Sequence, residues 1–146
     1  MVNEVERAFF ESLKLPLILC SYRDGILRAE IVSDGLCEVA RSPREEMLKS
    51  YNNDFFASAY PDDLIWLQHE AEKFIKGLTE FDCIYRYQRI EKNEYILLHA
   101  IAKWQTMSDG SKMILLSYNN MRNTKTSIGQ WYTSTQDKEN ELLYTD

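Results

Sequence analysis

Residues 60–77 read YPDDLIWLQHEAEKFIKG, the one long helical segment of the sequence, and it separates two groups of strands. Pro61 suits a first helical turn because its φ is already fixed there, and Asp62 and Asp63 place negative charge at the positive end of the helix. Gly77 supplies the stop. At about 100° per residue, Leu64, Leu67, Ala71, Phe74, Ile75 and Leu78 fall on one face and His69, Glu70, Glu72, Lys73 and Lys76 on the other. The spacing therefore predicts a helix with one dry side and one wet side.

Downstream the period changes from helical to alternating. Phe81, Cys83, Tyr85 and Tyr87 interleave with Asp82, Ile84, Arg86 and Gln88, the pattern of a half-buried strand. Glu91 to Glu94 turns the chain, with Asn93 suited to a left-handed conformation. Tyr95 to Trp104 is apolar on both faces apart from His99 and Lys103, which predicts a central strand covered on both sides or touching a partner. Asp109-Gly110 turns again, and Met113 to Tyr118 forms the last strand.

Upstream, Asn3 and Glu6 have capping-box spacing, and Val2, Val5, Phe9 and Leu13 recur at helical intervals. A short amphipathic helix is expected from Glu4 to Lys14, ended by Pro16. It packs on its own sheet or on a second copy, in which case Val5, Phe9 and Leu13 are the dimer contacts. Leu17 to Tyr22 and Ile26 to Val32 are two strand-like runs joined by Asp24-Gly25, a strong hairpin signal because both central residues need positive φ. In the second run Leu27, Ala29 and Ile31 share one face opposite Arg28 and Glu30, an edge or near-edge pattern. Ser33 and Asp34 cap a short helix through Ala40. Ser42-Pro43-Arg44-Glu45 reads as a further capping box opening a helix to Lys49, and Tyr51-Asn52-Asn53 reads as loop.

Composition bounds the function. The 146 residues fit one domain with short extensions, and 45% hydrophobic residues supply a single core. A net charge of -6 with no basic stripe argues against nucleic acid. No apolar run approaches the ~20 residues of a membrane span, and MVNEVER lacks the character of a signal peptide, so a cytoplasmic location is expected. Cys20, Cys37 and Cys83 are odd in number and widely spaced, suggesting small buried hydrophobes rather than a disulfide framework or a zinc site.

This order of two strands, helices and three strands resembles the PAS family over residues 15–121. IVSDGLCE at 31–38 looks like the stretch from the second PAS strand into its first helix, and Arg44-Glu45-Glu46-Met47 is similar to the second short helix. Tyr60-Pro61-Asp62-Asp63-Leu64 resembles the His-Pro-Asp-Asp start of the long helix, with tyrosine for histidine. Tyr85-Arg86 matches the Glu-Tyr-Arg strand, with Ile84 in place of the glutamate. Tyr95 to Ala100, with His99, resembles Tyr-Arg-Trp-Ile-His-Ala, with Ile96 and Leu97 in place of arginine and tryptophan. Where the family often has Asp-Ile-Thr, Asn120-Met121-Arg122 stands here. Glu139 to Asp146, ENELLYTD, is similar to the helix that runs into diguanylate cyclase domains.

The resemblance implies an α+β fold, a five-stranded antiparallel sheet with helices on one face. An N-terminal helix (residues 1–14) precedes the domain (15–121), and a helical signalling tail (122–146) leads towards an output domain. It implies a non-enzymatic sensory module that works as a homodimer. A small-molecule pocket would be lined by Cys83, Tyr85, Tyr87, Leu97, His99, Leu67 and Ala71, with His99 as polar anchor; alternatively His99 is hydrogen-bonded to a neighbouring strand or exposed on the sheet. Haem is disfavoured, because the family's ligand position matches Gln68 and His69 sits about 100° further round on the wet face. Flavin is disfavoured because the Asn-Cys-Arg-Phe-Leu-Gln motif is absent. The ligand itself stays unknown. Trp66 on the polar face and Trp104 read as packing residues or partner contacts, and Asp62 with Asp63 as helix-start charges. No catalytic set and no metal cluster stands out, so the alternatives are a ligandless dimerisation spacer and, less favoured, a small cone-shaped α+β enzyme.

Overall fold

The computed structural model describes residues 2–89 and 94–121. The turn around Asn93 and the expected tail after Met121 lie outside them. The elements are α1 (Glu4–Ser12), β1 (Leu17–Arg23), β2 (Ile26–Val32), α2 (Asp34–Ala40), α3 (Arg44–Asn53), α4 (Pro61–Ile75), β3 (Phe81–Arg89), β4 (Glu94–Thr106) and β5 (Lys112–Asn120). The strands form one antiparallel sheet in the order β2-β1-β5-β4-β3, with the helical segment crossing between the two edge strands. The predicted five-stranded α+β architecture is the observed one.

Local signals account for most of the boundaries. Asn3 and Glu6 form the reciprocal capping box at α1. Asp24 and Gly25 take φ of 52° and 77°, the double positive turn that suits the twist of the β1-β2 hairpin. Ser33 caps α2 through its bond from Leu36 N, and its Oγ also accepts from Leu17 N and donates to Leu15 O. One hydroxyl thus holds the start of α2 against the start of β1.

Four readings need correction. α1 ends at Ser12 rather than Lys14, because Leu13 turns extended and its carbonyl accepts from Gly35 N. Ser42 does not cap α3: Pro43 stands at the N-cap with no side-chain bond, and the buried Ser42 Oγ has no hydrogen-bond partner among the described residues. Tyr51-Asn52-Asn53 is the last turn of α3, not loop. Asn52 accepts from Ala29 N at 2.8 Å and donates to Ala29 O at 3.1 Å, so edge strand β2 rewards the extra helical turn. The last strand, expected to end at Tyr118, runs on through Asn119 and Asn120 opposite His99 and Leu98.

The inner face of the sheet carries the main core under α2, α3 and α4. Ile18, Cys20, Cys83, Tyr85, Leu98, Ala100, Leu116 and Tyr118 meet Leu36, Met47, Tyr51, Leu67 and Phe74 there. On the outer face α1 covers Leu19, Ile31, Met107 and Met113 with Val2 and Phe10. Ile31 therefore does not share a face with Ala29 as the alternation suggested. Leu19 pairs with Ile31 but Cys20 pairs with Ala29, so Glu30 is the extra residue of a β-bulge. The bulge moves Ile31 to the other face, where α1 buries it.

Candidate functional site

The inner core lies between α4 and the sheet. Its centre is a cluster of four buried tyrosines, Tyr51 from α3, Tyr85 and Tyr87 from β3, and Tyr118 from β5. The Tyr51 and Tyr87 hydroxyls are 3.5 Å apart, and the Tyr118 hydroxyl lies against those of Tyr51 and Tyr85. Burial pushes all four phenols above the ordinary tyrosine value. Burial likewise raises the thiols of Cys20 and Cys83, and all three cysteines are free. The cluster is a neutral polar network that exchanges hydrogen bonds internally, not a set of ionised groups.

Beside it lies a cavity of about 20 Å³, lined by Phe55, Phe56, Ala71, Phe74, Phe81 and Ala102 together with aliphatic side chains of β2, α4 and β5. That is about the room one water needs, yet an apolar lining gives a water no partners. Uncharged apolar matter is what such walls accept.

The predicted pocket residues are divided between two faces. Cys83, Tyr85, Tyr87 and Leu67 are buried in the inner core, and the partly buried Ala71 packs against it. Leu97 and His99 are on the outer face: His99 is registered against Ile84, and Leu97 packs with Ile84 and Met121. A single pocket containing all seven is excluded by the sheet that stands between them. His99 Nε2 lies 2.5 Å from Asp82 Oδ1 on the neighbouring strand. On α4 both Gln68 and His69 are exposed, so neither faces the core.

The buried side of α4 keeps Leu67, Ala71, Phe74 and Ile75 of the predicted stripe, loses Leu78, and adds Asp63 and Trp66 from outside it. Asp63, Leu67 and Phe74 are buried and Trp66 packs against the core, while Ile65 and Leu78 stand in solvent. Asp63 sets this orientation. Its carboxylate accepts from Arg86 Nη2 at 2.7 Å and from both Nε and the backbone N of Arg86 at 3.1 Å. The Arg86 guanidinium lies 3.9 Å from the centre of the Tyr60 ring, which meets Tyr95 edge-on. Asp63 is thus a structural anchor from α4 to β3, a role its position in a helix-start acidic pair did not reveal. Tyr51, Phe55 and Phe56 were likewise missed as lining residues, and their apolar clustering before α4 was the available signal.

Of the dimer candidates, Val5 and Phe9 are exposed and Leu13 is half-buried; α1 faces its own sheet with Val2 and Phe10 instead. Among the described residues no group of three or more His, Cys, Asp or Glu side chains is placed to hold a metal, and no helix is long and apolar enough to cross a membrane.

This architecture is the PAS fold. The chain is similar to the LOV protein of Rhodobacter sphaeroides, with a TM-score of 0.66 at 12% identity over 95% of this chain and 85% of that one. It is also similar to a PAS domain from a two-component sensor histidine kinase, with a TM-score of 0.54 at 14% identity over 80% and 94%. A third likeness is the N-terminal domain of a diguanylate cyclase with PAS/PAC sensor from Marinobacter aquaeolei, with a TM-score of 0.55 at 12% identity over 75% and 98%. No family model matches the sequence, and no curated protein does.

Proposed function

We propose that this chain is a cytoplasmic sensory module that binds a small ligand or a partner and regulates a C-terminal output domain of diguanylate cyclase type. The observation that carries this reading is the two-sided placement of β5. Its inner face lines the apolar cavity with Ile114 and Leu116, and its outer face meets the core under α1 with Met113 and Leu115. A ligand that favoured one packing of the inner core would bias α1 and the continuation of β5 together. It does so only to the extent that it binds the two packings with different affinity. The likeness to the N-terminal domain of a diguanylate cyclase supports the type of output, and the likeness to a PAS domain of a sensor histidine kinase supports the sensory role alone. The dimer reading rests on the exposed apolar side chains of Val5 and Phe9 on α1.

A second reading, a ligandless dimerisation spacer, is favoured by one observation: four tyrosines occupy the inner core and leave a cavity of about 20 Å³. Native mass spectrometry of freshly purified chain separates the two. A retained small molecule supports sensing, a ligand-free dimer supports the spacer, and a ligand-free monomer defeats both.

A further inference from the structure

A second concavity lies on the opposite side of the sheet, at the tip of the β1-β2 hairpin beside α1. It has a volume of about 410 Å³, within the usual range for small-molecule sites. Ser21 pairs with Arg28 and Arg23 with Ile26, so these four side chains share the outer face, with the two arginines diagonal neighbours across the strands. Arg7 of α1 completes the wall and donates to Glu30 O at 3.1 Å. The lining holds three guanidinium groups against one carboxylate, that of Glu30, which already accepts from Ser21 Oγ at 2.7 Å.

Among the described residues Arg23 and Arg28 pair with no carboxylate, in a chain whose net charge is -6. Acidic side chains are abundant, yet among the described residues Glu30 alone lines the cleft, and of its three arginines Glu11 reaches only Arg7, at 3.8 Å. Next to the arginines the cleft offers Val2, Ile26 and Met113, and Ile26 is 61% exposed. A guanidinium presents a planar fork of donors matched to carboxylate or phosphate oxygens, and apolar surface beside it holds a hydrocarbon body.

We propose that this cleft binds a small organic anion, a carboxylate or phosphate head group carried on an apolar body. The head group sits between Arg23 and Arg28 within reach of Arg7, and the body lies over Ile26 and Met113. This site is separate from the inner core and does not depend on the sensory reading above.

Calorimetric titration of the full chain at low salt with octyl phosphate, octanoate and neutral octanol tests it. Saturable binding of the anions that weakens with added salt is expected, with octanol at least about tenfold weaker and the Arg23→Gln/Arg28→Gln double variant losing about tenfold in affinity. Binding of octyl phosphate alone assigns the head group as phosphate, and of octanoate alone as carboxylate. Both side chains are exposed, so the double variant should keep the parent's thermal midpoint; if it does not, the two single variants are titrated instead. The proposal is overturned if neither anion binds, if octanol binds equally well, or if affinity survives loss of the arginines.

Discussion

Asp63 has no exposed surface, and Arg86 meets its carboxylate with three donors, two from the side chain and one from the backbone. The two partners are not equivalent, because Arg86 keeps 28% of its side chain in solvent and Asp63 keeps none. Replacing Arg86 by leucine strands a buried carboxylate and should cost about 3–5 kcal/mol. Replacing Asp63 by asparagine leaves a guanidinium that still reaches water and Tyr60, and should cost about 1–3 kcal/mol. Urea unfolding of both variants checks the order; equal losses would show that the charge on Asp63 is not what the pair neutralises.

Gly35 is required by close approach rather than by its backbone angles. A Cβ built there would lie 2.1 Å from the Lys14 carbonyl oxygen, which is backbone and has nowhere to swing. Gly35→Ala should therefore destabilise by about 1–3 kcal/mol or more, whereas alanine in a helix normally helps. A thermal melt at or above that of the parent would contradict the packing of α2 on the segment before β1.

Phe9 and Phe10 are adjacent on α1 but face different surroundings. Phe10 packs on the core beneath the helix, and Phe9 is 58% exposed. Phe10→Ala should lower stability by about 1–3 kcal/mol, with Phe9→Ala within about 0.5 kcal/mol in the monomer. If α1 mediates self-association, Phe9→Glu should shift sedimentation towards monomer without changing the melt of the monomeric form.

The tyrosine cluster makes a pH prediction. Folding raises the phenol pKa values of Tyr51, Tyr85, Tyr87 and Tyr118, so their contribution is complete below the unfolded value of about 10 and is lost as pH rises through the folded values. Stability should fall above that pH, and these four of the nine tyrosines should ionise only as the chain unfolds. Absorbance titration near the phenolate band, run beside circular dichroism, checks the coincidence.

At the other extreme, Glu6 has its pKa lowered by the backbone bonds from Ser108 and Asn3. Its contribution is present above the ordinary glutamate value and lost as pH falls through the lowered one. The docking of α1 on the β4-β5 turn should loosen in acid, and Glu6→Gln should flatten that dependence in amide exchange of Ser108.

Read alone, the sequence determined whatever depends on near neighbours. The capping box of Asn3 and Glu6, the Ser33 cap, the Asp24-Gly25 turn, the Pro61 start of α4 and the alternation of β3 all follow from interactions within a few residues, and with them the order of elements, whose resemblance to a known family implied the fold class. The tertiary structure decided what depends on distant partners. Alternation separates Tyr85 from Arg86 but does not say which face a helix will cover, so Leu97 and His99 were grouped with side chains across the sheet from them. One bulged residue, Glu30, moved Ile31 between faces, and the backbone of Ala29 drew Asn52 into a helix. Asp63 looks like a helix-start charge until Arg86, 23 residues away, is placed beside it. A period fixes which residues act together, whereas the direction they face is settled by what packs against them.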